Sequence, residues 1–283
     1  MNTFKTAFLL TALTLVLLLF GQVFGGQNGM IIALIIAVVM NFTAYFFSDK
    51  IALASAHAQP ISREESPRLY AVMERLSAKA NIPVPKLYMI PEAAPNAFAT
   101  GRNPHHASVA VTQGLMQLMD DEELEGVIAH ELSHVRNYDI LITSVAAMLA
   151  GALSMLAYIA RWGLMFTGYG GRDRGRGNPI ALLLMIIVAP IAALLLQLGI
   201  SRQREYAADA AGVKLVGHPY GLISALQKLG EYNKRIPMNV SPTTASLFIV
   251  APLSARAVFS ALFSTHPPLS ERIAILQNMT IGR

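Results

Sequence analysis

Apolar residues in this chain gather into long uninterrupted runs, and charge returns only between them. Residues 6–24 (TAFLLTALTLVLLLFGQVF) and 30–47 (MIIALIIAVVMNFTAYFF) hold no charged side chain. Each approaches the roughly 20 residues that cross a bilayer core as a helix. Two further uncharged runs follow at 140–160 and 180–200. Lys5 ahead of the first run resembles the start of a secretory leader. However, no small-residue cleavage site follows in 21–29 and the second run begins at once, so the pair reads as an uncleaved membrane hairpin.

Between and after these runs the pattern shortens to that of ordinary elements. Leu69, Val72, Met73 and Leu76 recur at helical spacing within 66–80, behind a Ser-Pro start. Residues 86–90 (KLYMI), 97–100 and 108–112 (SVAVT) read as short strands, the last two joined by a loop with Gly, Asn and Pro. Residues 120–139 open on four acids, which favour a helix N-terminus, and run straight into the third apolar segment. Residues 202–216 and 220–235 read as two more helices. The expected organisation is a membrane hairpin over 1–47, a first catalytic part over 48–139, a second hairpin over 140–200 and a second catalytic part over 201–283. The two soluble parts together have the size of one domain.

Composition sharpens this picture. The chain has 283 residues, 54% hydrophobic and only 14% charged, well below the roughly 25% charged of soluble proteins. Disordered chains have the opposite balance. There is no cysteine, so a disulfide framework and thiolate ligands are excluded, and any metal must be held by His, Asp or Glu. The net charge of +5 carries no nucleic-acid signature; in so apolar a chain, basic residues report orientation instead. The uncharged connector 21–29 contrasts with Lys5, Lys50, Arg63 and Arg68, so the N-terminus and the segment after residue 47 face the cytoplasm. The second hairpin breaks this rule, because Arg161, Arg172, Arg174 and Arg176 fall in its connector. Either it yields to the first hairpin, or it packs partly against the protein without crossing.

The chemistry concentrates in 130–134, His-Glu-Leu-Ser-His. Residues four apart on a helix lie on one face, about 6 Å apart along the axis, so His130 and His134 can converge on one ion. Glu131 lies on the flank of that face, where it can serve as a general base without binding the metal. Neutral imidazole suits zinc, and two His with a carboxylate and an open position form a catalytic zinc pattern. Glu205, at the start of a helix after the fourth apolar run, is the candidate third ligand. Asp209, one turn on, is placed to accept the free N–H of a ligand histidine and fix its tautomer. His57, His105, His106 and His218 read as surface residues.

HELSH, then SRQREYAAD across an apolar hairpin, then STHPPLSERI at 264–273 resemble, in that order, the gluzincin family of bacterial heat-shock membrane zinc metalloproteases, which also contains the CAAX prenyl-protein endoproteases. The resemblance covers essentially the whole chain. It implies an α-helical membrane protein with an α+β zincin-like catalytic domain: four apolar membrane helices, a small sheet with an edge strand, and an active-site helix carrying the two histidines. It implies one Zn2+ held by His130, His134 and Glu205, with Glu131 as general base and acid. It further implies that Asn96, Ala97 and Phe98 belong to an edge strand beside the cleft, which can hold an extended peptide by backbone pairing. His266 and Arg272 match a His and an Arg placed near the metal, serving oxyanion stabilisation or gating. The expected setting is the bacterial inner membrane, multi-pass, with the site facing the cytoplasm. The expected substrates are misfolded membrane proteins, with an ATP-dependent membrane protease as companion.

Rival readings fit less well. In an intramembrane site-2-type protease the two histidines lie within the bilayer, whereas here Asp120–Glu123 precede them and Arg136 and Asp139 follow. A transporter needs ionisable groups in its spans, and these runs have none. A non-catalytic scaffold gives no reason for Glu131 between two ligands.

Overall fold

A reversal at Gly26 turns one apolar helix into two limbs. The computed structural model describes residues 2–150, 201–235, 247–250 and 267–279. Its first element, α1 (Asn2–Ser55), is helical throughout except at Gly26, where φ 58° and ψ −144° suit a residue without Cβ. The limbs fold back on each other: Asn41 Nδ2 donates to Thr14 Oγ1 at 2.8 Å, and Leu9 and Leu13 pack with Ala44. The uncharged connector is therefore much shorter than 21–29, because helix continues almost to the reversal from both sides.

The elements after α1 follow the sequence reading closely. A two-residue strand β1 (Gln59–Pro60) precedes α2 (Pro67–Ala80), β2 (Lys86–Ile90) and β3 (Ala97–Gly101). A 3-10 turn at Pro104–His106 leads into β4 (Ala107–Thr112) and the short α3 (Gln113–Leu118). The described strands form a four-stranded sheet in the order β1-β2-β4-β3. β2 runs parallel to β4 with Lys86 opposite Ser108, and β3 runs antiparallel to β4 with Ala97 opposite Val111.

α4 (Asp121–Arg136) is the central helix. Asp120 and Glu123 close a reciprocal capping box over its first turn, each side chain accepting the other's backbone N–H at 2.9 Å. Glu123 also accepts from Lys228 Nζ at 2.7 Å, tying this end to a neighbouring helix. Leu124, Val127, Ile128, Leu132 and Val135 join one core with Leu69, Met73 and Leu76 of α2 and Val109 and Val111 of β4. The expected continuous passage into the third apolar run does not occur. α4 ends at Arg136, Tyr138 takes φ 60°, and a new helix α5 (Asp139–Ala150) starts. Leu141, Val145 and Leu149 of α5 pack on the α1 hairpin. The remainder of the third run, and the fourth, lie outside the described residues.

α6 (Arg202–Val216), α7 (Tyr220–Arg235) and α8 (Leu269–Gln277) complete the described fold. α7 crosses α4 at unusually short range: a Cβ added at Gly126 would lie 2.6 Å from the backbone N of Leu222. Gly126→Ala is therefore expected to destabilise the protein. Alanine returns about 1 kcal/mol of helix preference, less than a clash against immovable backbone at the upper end of the roughly 1–3 kcal/mol overpacking range. A melting temperature in detergent that is unchanged or higher would contradict this packing.

Among the described residues, the large hydrophobic side chains left exposed lie on α1, apart from Val84, Tyr138 and Tyr220. Its second limb, Gly25–Ser55, spans 31 residues and is the one described helix long and apolar enough to cross a membrane.

Candidate active site

α4 is packed between the sheet and α6 and α7, so polar side chains on its inner face are cut off from water. His130 and Glu131 are 1% and 2% exposed. The helical repeat brings His130 Nε2 and His134 Nε2 to 3.2 Å, with the rings edge to face. α6 delivers Glu205 from its first turn: Oε2 lies 3.7 Å from His130 Nε2, and Oε1 lies 3.6 Å from His134 Nε2. Donors bound tetrahedrally at about 2.0–2.1 Å from one ion stand roughly 3.3 Å apart. The observed separations bracket that edge length, so these residues fit a zinc-sized ion. They are also the one His/Asp/Glu group among the described residues that could hold one.

Each imidazole is oriented from behind. His130 Nδ1 lies 2.8 Å from Asp209 Oδ1, and His134 Nδ1 lies 3.1 Å from Asp139 Oδ2. In a neutral ring, donation from Nδ1 to a carboxylate leaves the Nε2 lone pair facing the shared point, which is how ligand tautomers are set. Asp209 comes from α6, as its spacing from Glu205 suggested. No motif in the sequence marks Asp139 as a site residue. It stands five residues past His134 on a separate helix, and the turn at Asn137 and Tyr138 lets it reach back. A continuous helix, as the sequence implied, conceals this pairing.

Burial and the neighbouring charges act differently on the two rings. Burial, the strongest influence on His130, pushes its pKa below the ordinary value, assisted by the nearby Arg272 and His134 against the pull of Asp209, so the ring is neutral. For His134, burial opposes protonation. The Asp139 hydrogen bond and the fields of Glu205, Glu131 and Asp139 outweigh it and raise the pKa to about 9. Burial chiefly, with the repulsion of Glu205, raises Glu131 to about 7 against the pull of His134, Arg272 and the Ala99 backbone N–H. Asp209 stays below its ordinary value despite burial, because Arg272 and His130 stabilise its charge.

Arg272 is fully buried. Its Nε and one terminal nitrogen donate to Asp209 at 2.8 and 2.7 Å, and the other terminal nitrogen donates to the Ile249 carbonyl at 3.1 Å. These bonds give Arg272 a positioning part, since it holds Asp209, which holds His130, and Nη1 also lies 3.7 Å from Glu205 Oε2. His266 lies outside the described residues.

β3 is the last strand in the order of the described sheet, as expected of an edge, but its edge is not open along 96–98. Ile249 N–H donates to the Ala97 carbonyl at 3.0 Å, and Asn96 Nδ2 donates to the Val250 carbonyl at 2.8 Å. Phe98 is buried edge to face against Phe248, with centroids 5.0 Å apart. The physical reason is that an edge strand's outward polar groups require partners, and residues 247–250 supply them. Two residues further along the same edge, the Ala99 N–H bonds Glu131.

The class this arrangement defines is a metallohydrolase on a scaffold with a membrane-length helix. The model for Peptidase family M48 matches residues 63–280, and the chain belongs to that family of zinc-dependent metalloproteases. It is 52% identical over 278 residues to a Protease HtpX homolog of Desulforapulum autotrophicum, covering 98% of this chain and 90% of that protein. It is 54% identical over 276 residues to a Protease HtpX homolog of Desulfatibacillum aliphaticivorans, covering 97% and 89%. Among solved structures, Ste24p of S. mikatae has a similar fold, with TM-score 0.53 at 20% identity; the match takes in 97% of this chain and 64% of that one.

Proposed function

We propose that this metalloprotease is a multi-pass endopeptidase of the bacterial inner membrane, with its catalytic residues facing the cytoplasm and its substrates damaged or misfolded membrane proteins. The observation that carries the catalytic part is the meeting of His130, His134 and Glu205 with a buried carboxyl, Glu131, beside them. In this reading His130, His134 and Glu205 hold Zn2+, and Asp209, Asp139 and Arg272 hold the ligands. Bound there, zinc would supply Lewis acidity toward the scissile carbonyl and lower the pKa of water. Glu131 takes a proton from the attacking water and passes it to the leaving nitrogen. A carboxyl raised to about 7 is matched to both halves of that task. An extended peptide would lie along β3 at Asn96, Ala97 and Phe98, displacing residues 247–250 from that edge.

The membrane part of the reading rests on the exposed apolar side chains of α1, for which lipid is the natural cover. The hairpin over 1–47 spans the bilayer, residues 140–200 form a second hairpin, and the two intervening and following parts form one catalytic domain. An ATP-dependent membrane protease is the proposed companion in clearing cleaved proteins. His130→Ala and Glu205→Ala are expected to lose bound zinc along with activity. Metal content of the detergent-purified chain checks this, and a full equivalent of zinc retained in either variant would contradict the ligand set. Casein cleavage that survives complete chelation would contradict the class of mechanism.

A further inference from the structure

The second limb of α1 is longer than a bilayer core requires. Its 31 residues extend about 46 Å at 1.5 Å per residue, against about 30 Å of hydrocarbon. Counting roughly 20 residues from the reversal at Gly26 brings the lipid boundary to Phe46. Around that point the helix exposes Phe42, Tyr45, Phe46 and Phe47, an aromatic belt at headgroup depth, followed by Lys50.

A cavity of about 470 Å³ opens here, between this end of α1, the start of β2 and the 3-10 turn before β4. That volume lies in the range of small-ligand sites, about 300–1,000 Å³. Lys50, Lys86 and Arg102 line it against one carboxylate, Asp49, and His105 and His106 complete the wall. The cations lean on rings: Lys50 Nζ lies 5.3 Å from the Phe47 centroid, and Arg102 Cζ lies 5.5 Å from that of Phe46. Lys50 and Arg102 are thus held beside neighbouring rings, and among the described residues that line the cavity Asp49 is the one carboxylate set against the three cations.

We propose that this cavity binds the phosphate headgroup of an anionic phospholipid, with Lys50, Lys86 and Arg102 as counter-charges. Phosphate supplies the charge that the three cations lack, through charge-assisted hydrogen bonds. Basic pockets at a membrane boundary recognise anionic headgroups by the same means. The exposed faces of Phe42 and Phe46 continue from the cavity along the apolar helix, where an acyl chain would lie; this favours a lipid over free phosphate. The proposal rests on the membrane reading of α1.

The test is native mass spectrometry of the full-length chain in detergent, mixed with phosphatidylglycerol, with phosphatidylcholine, or with inorganic phosphate. Phosphatidylglycerol is expected to be retained at least about tenfold more than phosphatidylcholine. Lys86→Gln with Arg102→Gln is expected to bring the two lipids level, while Arg63→Gln with Arg75→Gln, outside the cavity, leaves the preference intact. Equal retention of both lipids by the wild-type chain, a comparison that needs no variant, overturns the proposal. So does phosphatidylglycerol retention unchanged in the Lys86/Arg102 double variant, or displacement of that lipid by millimolar inorganic phosphate. Recovery of the chain from cells without detergent overturns the membrane reading as well, whereas loss of lipid preference in membrane-extracted protein removes only the headgroup site.

Discussion

Glu131→Gln is expected to lower peptidase activity by a factor on the order of 10²–10⁴, the usual worth of general acid–base catalysis, while zinc content stays at that of the wild type. The substitution preserves shape and removes the proton acceptor. Glu131 is 2% exposed, so solvent cannot substitute for it freely, and its burial keeps the carboxyl near neutrality and ready to exchange a proton. The metal ligands are left untouched. Zinc-restored cleavage of casein, measured beside metal analysis on the same preparation, separates the two effects. Near-wild-type cleavage by the glutamine variant would remove Glu131 from the chemistry. Loss of metal together with activity would instead mean that it supports the ligands.

Arg272→Met is expected to be severe for a different reason. The guanidinium is fully buried and bonds both oxygens of Asp209, itself 1% exposed. Removing one partner of a buried ion pair strands the other charge and costs about 3–5 kcal/mol. Asp209 then either takes up a proton or draws away from His130, and zinc affinity is expected to fall about 10–100-fold, as when a residue supporting a ligand is lost. Pairing Arg272→Met with Asp209→Leu separates these consequences, because the second change removes the stranded charge. The double variant is expected to regain part of the melting temperature but not the zinc affinity. A single variant that melts and binds zinc like the wild type would show the pair to be incidental.

Much of this fold could be read along the chain because its elements are driven by local pattern. The acids at 120–123 cap α4, the spacing of Leu69, Val72, Met73 and Leu76 makes α2, and the strands near 86, 97 and 108 begin within a residue of where alternation placed them. The convergence of His130, His134 and Glu205 was also legible, since two ligands share a helix face and the third opens the next soluble helix. What escaped depends on backbone turns and contacts between distant segments. The partnership of Asp139 with His134 needs the left-handed turn at Tyr138. The occupation of β3 by residues 247–250 joins stretches about 150 positions apart through Asn96. Arg272 was legible as a neighbour of the metal site; its commitment to Asp209 was visible only in three dimensions.

If β3 is the proposed peptide-binding edge, the bond from Ile249 to the Ala97 carbonyl has a consequence for substrate choice. An incoming strand that seeks that carbonyl competes with a tethered rival already present at high effective concentration. A folded segment, its own amides engaged, has little to offer in such a contest, whereas a loosened stretch with free amides can displace the tether. On the proposed reading, a substrate strand would have to win that carbonyl by a backbone exchange, which would favour unfolded over folded polypeptide before any side-chain preference is expressed.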